Sequence, residues 1–239
     1  MLDFLKELDA NEIKAFYESI DTVWPKNNRW HDYNQSEIKN YIHRFPLQNR
    51  KILNAGSGGN DYGLNTDMCH LDIAENKIEN AKNYVVGSIE RMPFDNNSFD
   101  VVICVGSVLN YCDAVKAINE MARVLKNNGV LILEFENSYS FEFKNTTAYK
   151  AAATVVTTEY FNAPHKMWVY SLDYIREILC DNNLVPNNIY PYHILSSFAY
   201  FYSRNENKAA KYAPLDKILR HIPIVRKHSG NVIISCKKR

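Results

Sequence analysis

The chain has 239 residues, 46% hydrophobic and 23% charged, ample for one large α/β core without requiring a second full domain. Lys plus Arg is 28 and Asp plus Glu is 27, a net charge of +1, so no global field favours nucleic acid or a membrane surface as partner. Five cysteines, odd in number and without a C-x-x-C pair, read as reduced core thiols. A first twenty residues rich in charge and the lack of any long apolar run argue against a signal peptide and a membrane span. The expected setting is cytoplasmic.

Residues 1–50 read as a helical region ahead of any sheet. Leu2, Leu5 and Leu8, then Ile13, Phe16, Tyr17 and Ile20, recur at helical spacing, and residues 36–45 repeat the pattern with Ile38, Tyr41 and Ile42. Between them, residues 24–33 (WPKNNRWHDY) form an aromatic and polar segment, either a surface loop pinned by two tryptophans or a lid.

Residues 51–64, KILNAGSGGNDYGL, organise the rest of the chain. The apolar run through Ile52 and Leu53 reads as a buried parallel strand. The glycine-dense bend after it leaves main-chain N–H groups open to a ligand. Asp72, at the end of a second short run over 69–72, is spaced to accept the hydroxyl protons of a ribose lying across the strand ends. A helix is expected over 74–82 and a short strand over 85–87. The strongest strand signal, FDVVICV, covers 99–105; a helix follows over 114–125, and another strand over 130–136 ends on Glu134 and Glu136. Strands alternating with helices predict a parallel, doubly wound sheet, with ligands beyond the strands' carboxyl ends.

Residues 137–171 break this rhythm, dense in aromatics and holding one histidine, His165. An insertion at this point would lie over the crevice as a substrate cover. A helix over 172–180, a strand near 189–195, a polar helical stretch near 206–221 and a last strand over 231–236 complete the chain. The expected organisation is one domain over 1–239: a helical lid region (1–50), a cofactor-binding half (51–136), and a substrate cover with C-terminal strands (137–239).

These residues resemble the class I S-adenosylmethionine-dependent methyltransferases, small-molecule branch, over about 48–137. ILNAGSGG matches the glycine motif after the first strand, Asp72 the ribose-binding acid, and Gly87 to Phe94 the segment along the adenine; FDVVICVGSVLNY and RVLKNNGVLILEFE match the fourth and fifth strands with their helix. The resemblance implies a Rossmann-like, seven-stranded, mostly parallel sheet with an antiparallel last strand, and S-adenosyl-L-methionine as cofactor. It implies cofactor contacts from Asn54, Gly56, Ser57, Gly58, Asp72 and Ile73, and from Ser88, Ile89, Val105, Gly106 and Ser107. The sequence departs from the family where Asn54 and Ser88 replace acids, and where the interval from Asn54 to Asp72 leaves little room for a first helix. No Asn/Asp-Pro-Pro-aromatic motif follows the fourth strand, which argues against base or amide methylation.

Methyl transfer from a sulfonium needs in-line positioning of a nucleophile, with a base for some acceptors. His165 is the first candidate base, with His193 and His31 behind it. Tyr111 is a second catalytic candidate, and Trp30, Tyr33, Glu136, Tyr160, Trp168 and His193 are candidate substrate contacts. No histidine–carboxylate cluster has metal-ligand spacing. The expected reaction methylates N or O of a small molecule. A catalytically silent cofactor-binding regulator is the alternative, and an NAD-dependent oxidoreductase a further one, disfavoured because the glycine bend opens no helix.

Overall fold

The structure is a computed structural model and describes residues 8–161 and 163–239. Leu2 and Leu5 therefore lie outside the described residues. Helix α1 (Ala10–Ser19) starts at Asp9, whose side chain accepts from the N–H of Asn11; α2 (Arg29–Ile42) starts at Asn28, which accepts from Trp30. Such caps satisfy N–H groups that a helix start otherwise leaves open.

A seven-stranded sheet comes next. Its strands are β1 (Ile52–Ala55), β2 (Met68–Asp72), β3 (Tyr84–Val86), β4 (Phe99–Cys104), β5 (Leu125–Glu136), β8 (Leu184–Tyr192) and β9 (Asn231–Lys238). They lie in the order β3-β2-β1-β4-β5-β9-β8. β1, β2, β3, β4 and β5 pair in parallel, and β9 runs antiparallel to both β5 and β8. The expected sheet with its antiparallel last strand is thus present. All four residues of β1 are buried, as a central strand covered on both faces requires. The chain runs outward from β1 to β3 and returns to β4 on the other side of β1, so a crevice opens at the carboxyl ends of these strands.

Each face of the sheet is covered. On one, Leu53, Leu71, Val102 and Leu133 pack with α4 (Ala114–Val124) and α5 (Leu172–Asp181) through Ile118, Met121, Ile175 and Leu179. On the other, Ile52, Ile103, Ile132 and Ile233 meet Ile38, Tyr41 and Ile42 of α2.

Several sequence expectations shift. The helix expected over 74–82 shrinks to α3 (Glu75–Ile78), because no apolar stripe continues beyond Ile78 and residues 79–80 and 82–83 are exposed. The strand expected over 189–195 is β8, which starts earlier at Leu184 and ends at Tyr192; His193 turns left-handed (φ 52°) and α6 (Leu195–Ser203) begins. The stretch near 206–221 is not one helix. α7 (Glu206–Ala209), a 3-10 segment Ala210–Leu215 and α8 (Asp216–Leu219) share it, since Pro214 supplies no N–H for a continuous ladder. Residues 137–171 hold an antiparallel hairpin, β6 (Ala153–Tyr160) with β7 (Ala163–Tyr170). The short interval after β1 carries turns and no helix, as expected.

Candidate active site

At the turn after β1, the N–H groups of Gly56 and Ser57 both donate to the Leu71 carbonyl, at 2.7 and 3.2 Å, fastening the glycine bend to β2. Gly56 has φ +73°, and a Cβ there would lie 2.3 Å from a Val108 methyl carbon; at Gly58 (φ +51°) it would lie 3.0 Å from Val23. Both positions therefore require glycine, for backbone conformation and for space. The Asp72 carboxylate closes the bend: Oδ2 accepts from the Gly58 N–H at 2.8 Å and Oδ1 from the Ala74 N–H at 3.0 Å. Burial raises the Asp72 carboxyl, against these N–H donors, which lower it. Each oxygen keeps acceptor capacity for a hydroxyl.

The loop after β4 is held by Glu134, a fully buried residue of β5. Its Oε2 accepts from the N–H groups of Gly106 (2.8 Å) and Ser107 (2.6 Å); its Oε1 accepts from the Tyr192 hydroxyl (3.1 Å) and the Asn231 amide (2.7 Å). Burial raises this carboxyl while the four donors stabilise its charge. The sequence reading noted Glu134 only as an acidic strand end.

These loops surround a crevice of about 580 Å³. Gly56, Ser57, Gly58, Asp72 and Ile73 line one side; Ser88, Ile89, Val105 and Gly106 line another. Trp168, Tyr160 and Tyr111 close it from the hairpin and from the turn Val108–Tyr111. Two expected cofactor residues stand elsewhere. Asn54 is fully buried within β1 and donates to the Asn60 carbonyl at 2.7 Å, so it braces the bend from beneath. Ser107 faces a second, smaller cavity of about 80 Å³, where its hydroxyl donates to Glu136 at 3.1 Å. Trp30 and Glu136 also line that chamber. Tyr17, Trp24, Gly106, Tyr111 and Tyr160 line both cavities and form the wall that crevice and chamber share.

Three expected residues border neither cavity. His165 lies behind the aromatic wall, with ring centroids 4.5 Å from Phe16 and 5.1 Å from Tyr111; its Nε2 has no partner and burial lowers its pKa. His193 stacks on Trp30 at 3.7 Å and bonds Ser196 and Asn34, both at 2.6 Å. Tyr33 packs edge-on against Tyr192 and His193.

Tyr17, Val23 and Trp24 of the crevice wall escaped the sequence reading of individual roles, although residues 24–33 were read as loop or lid. Residues 18–23 are strapped to the rim: the Asn76 amide donates to the Glu18 carbonyl at 3.0 Å, Lys77 bonds the Ile20 carbonyl and the Tyr160 hydroxyl bonds the Val23 carbonyl. Tyr17 was read as one apolar residue of a helix face. Nothing in its spacing distinguishes a core ring from a crevice ring.

Residues 49–133 match the family described as "Methyltransferase domain". The chain is 38% identical over 93 residues to an uncharacterised protein of Methanocaldococcus jannaschii, covering 39% of this chain and 34% of that one. It is 30% identical over 141 residues to the ubiquinone/menaquinone biosynthesis C-methyltransferase UbiE of Rickettsia akari, covering 49% of this chain and 57% of the relative. The chain thus spans between a third and three-fifths of these two relatives. A SAM-dependent methyltransferase of Methanosarcina mazei shares the fold, with a TM-score of 0.56 at 14% identity, over 83% of this chain and 96% of that one. Residues 49–133 thus match a methyltransferase domain, and the chain shares the fold of S-adenosylmethionine-dependent methyltransferases.

Proposed function

We propose that this chain transfers the methyl group of S-adenosyl-L-methionine to a small-molecule acceptor. The observation that carries the reading is the single crevice into which the glycine bend, Asp72 and the loops after β3 and β4 all open. Asp72 accepts the ribose hydroxyls there, Ser88 and Ile89 lie along the adenine, and the glycine bend, free of side chains at Gly56 and Gly58, lets the methionine moiety approach the backbone. With no helix after β1, a dinucleotide pyrophosphate would find no dipole to stabilise it, whereas a zwitterionic methionine group needs none.

The reaction requires that the acceptor's electron pair form a bond to the methyl carbon as the carbon–sulfur pair returns to sulfur. The products are a methylated acceptor and S-adenosylhomocysteine, and an N–H or O–H acceptor also releases a proton. Tyr111 and Tyr160 line the wall shared by crevice and chamber, where such an acceptor would meet the methyl group, with Trp168 in the crevice wall. Their roles, like those of Trp30 and Glu136, are positioning ones in this reading. His165, His193 and Tyr33 support that wall from behind. The aromatic enclosure and the net charge of +1 favour a small molecule over nucleic acid. Five free cysteines suit a reducing, cytoplasmic setting, and no helix among the described residues is long and apolar enough to cross a membrane.

Transfer to nitrogen or oxygen is the preferred reading. The UbiE relative's name favours transfer to carbon as a second. Incubation with methyl-deuterated S-adenosylmethionine and a metabolite extract, followed by mass spectrometry, decides: a labelled product with S-adenosylhomocysteine supports an enzyme, and fragmentation places the label on heteroatom or carbon. Cofactor binding with no turnover on any extract would favour a silent regulator.

A further inference from the structure

The small chamber beside the crevice is acidic and aromatic. Glu136 ends β5, Glu142 sits on the 3-10 turn Phe141–Phe143, and Glu206 opens α7; all three carboxyl groups border it, with exposed Glu159 at its edge. Among the described residues, no Lys or Arg lines it. Burial raises the carboxyl groups of Glu136, Glu142 and Glu206, and the charge of Glu142 raises Glu136 further. Arg204 acts on Glu142 from outside the chamber, and Glu206 bonds the Asn28 amide.

Two further observations point to an occupant. His31 has 11% of its side chain exposed, lines the chamber, and has a buried Nδ1 with no hydrogen-bond partner. Its Nε2 lies 3.7 Å from Glu206, but burial lowers its pKa to about 4, so at neutral pH it offers a neutral ring and no counter-charge. The chamber also shares Tyr17, Trp24, Tyr111 and Tyr160 with the crevice as a common wall, so it adjoins the site proposed for methyl transfer.

Half-buried carboxylates without a countercharge beside them are costly, and either a proton or a cation relieves them. Trp30, Tyr160 and Tyr200 line the same wall, and aromatic rings attract a cation through their quadrupoles. A bare metal ion fits poorly, since no three His, Cys, Asp or Glu among the described residues converge to hold one. A volume of about 80 Å³ matches an organic head group of a few heavy atoms, at about 30 Å³ per water displaced.

We propose, building on the methyltransferase reading, that the acceptor is a small organic cation, its ammonium or amidinium group seated in this chamber among Glu136, Glu142 and Glu206. The rest of the acceptor lies in the crevice, past the tyrosines. Nothing in the recognition requires the charged group to be the one methylated.

Calorimetric titration with phenethylamine, agmatine, 3-phenylpropanol and phenylacetate, with and without saturating S-adenosylhomocysteine, tests this. The expected result is that one of the amines binds at least tenfold tighter than the neutral alcohol, and that phenylacetate does not bind. Glu136→Gln and Glu142→Gln should each weaken the amine at least fivefold while leaving S-adenosylhomocysteine affinity unchanged. Equal binding of amine and alcohol, preference for the carboxylate, or no amine binding in either state would overturn the proposal, on the wild-type protein alone. A protein that binds the amine but not S-adenosylhomocysteine would retain the cation chamber and refute the methyltransferase reading instead.

Discussion

Replacing Asp72 by Ala removes a carboxylate that acts twice. In the structure it accepts from Gly58 at 2.8 Å and Ala74 at 3.0 Å, and in the proposed complex it also accepts two ribose hydroxyl protons. Each charge-assisted bond contributes about 1.5–3 kcal/mol net. Water can reach this half-buried rim and satisfy part of what is lost, so about 2 kcal/mol of stability should go, a fall in melting temperature of roughly 4–8 °C for a chain of this size. The ribose contacts are lost on top of that, with about 2–4 kcal/mol of binding energy, roughly a 30- to 700-fold weaker S-adenosylhomocysteine affinity. Asp72→Asn keeps one acceptor oxygen and turns an NH₂ toward a donor, so it should fall between. Isothermal calorimetry beside thermal melting separates the two effects. An Asp72→Ala protein that melts normally and binds S-adenosylhomocysteine within threefold of wild type would remove Asp72 from both roles.

Glu134→Ala should cost about 3–5 kcal/mol in urea unfolding, because it strands four buried donors; Glu134→Gln, which can turn its oxygen to Gly106 and Ser107, should cost about 1 kcal/mol. His31 is held neutral in the fold, its pKa lowered to about 4 by burial against a small opposing contribution from Asp32. The unfolded chain therefore takes up a proton that the fold refuses, and stability falls as pH drops from about 6.5 toward 4. Relative to His31→Gln, wild type should lose about 2 kcal/mol between pH 7 and pH 5, read from urea curves at both pH values; parallel losses would contradict a neutral His31. His165→Phe should leave the maximal methyl-transfer rate within a few-fold, since the ring packs behind Tyr111 and reaches neither cavity. A loss of two to four orders of magnitude would instead restore it as the base.

The glycine bend and the acid beside it were legible because their signals are local. A four-residue buried strand, glycines at a bend with positive φ, and an acid one strand later each follow from backbone sterics within about twenty residues of sequence. The acidic chamber was not legible in this way. Glu136, Glu142, Glu206 and His31 meet through loops far apart in the chain, and no periodicity encodes that meeting. His193 and Tyr33 show the converse: their residue types suggest chemistry, yet His193 is satisfied by Asn34, Ser196 and the Trp30 ring, and Tyr33 packs edge-on beside it. Helix ends went astray where a local stop was weak, as after Ile78, or where Pro214 divided a polar stretch into short turns.

The most direct test is a calorimetric titration of the wild-type protein with S-adenosylhomocysteine, repeated on Gly58→Val and with NAD as the second ligand. Gly58 has φ +51°, and even a Cβ would press on Val23 at 3.0 Å, so the valine variant should lose binding by narrowing the crevice floor. The account predicts one site per chain for S-adenosylhomocysteine, none for NAD, and loss of the site in a folded Gly58→Val protein. NAD binding in preference to S-adenosylhomocysteine, or full affinity in the valine variant, would contradict it.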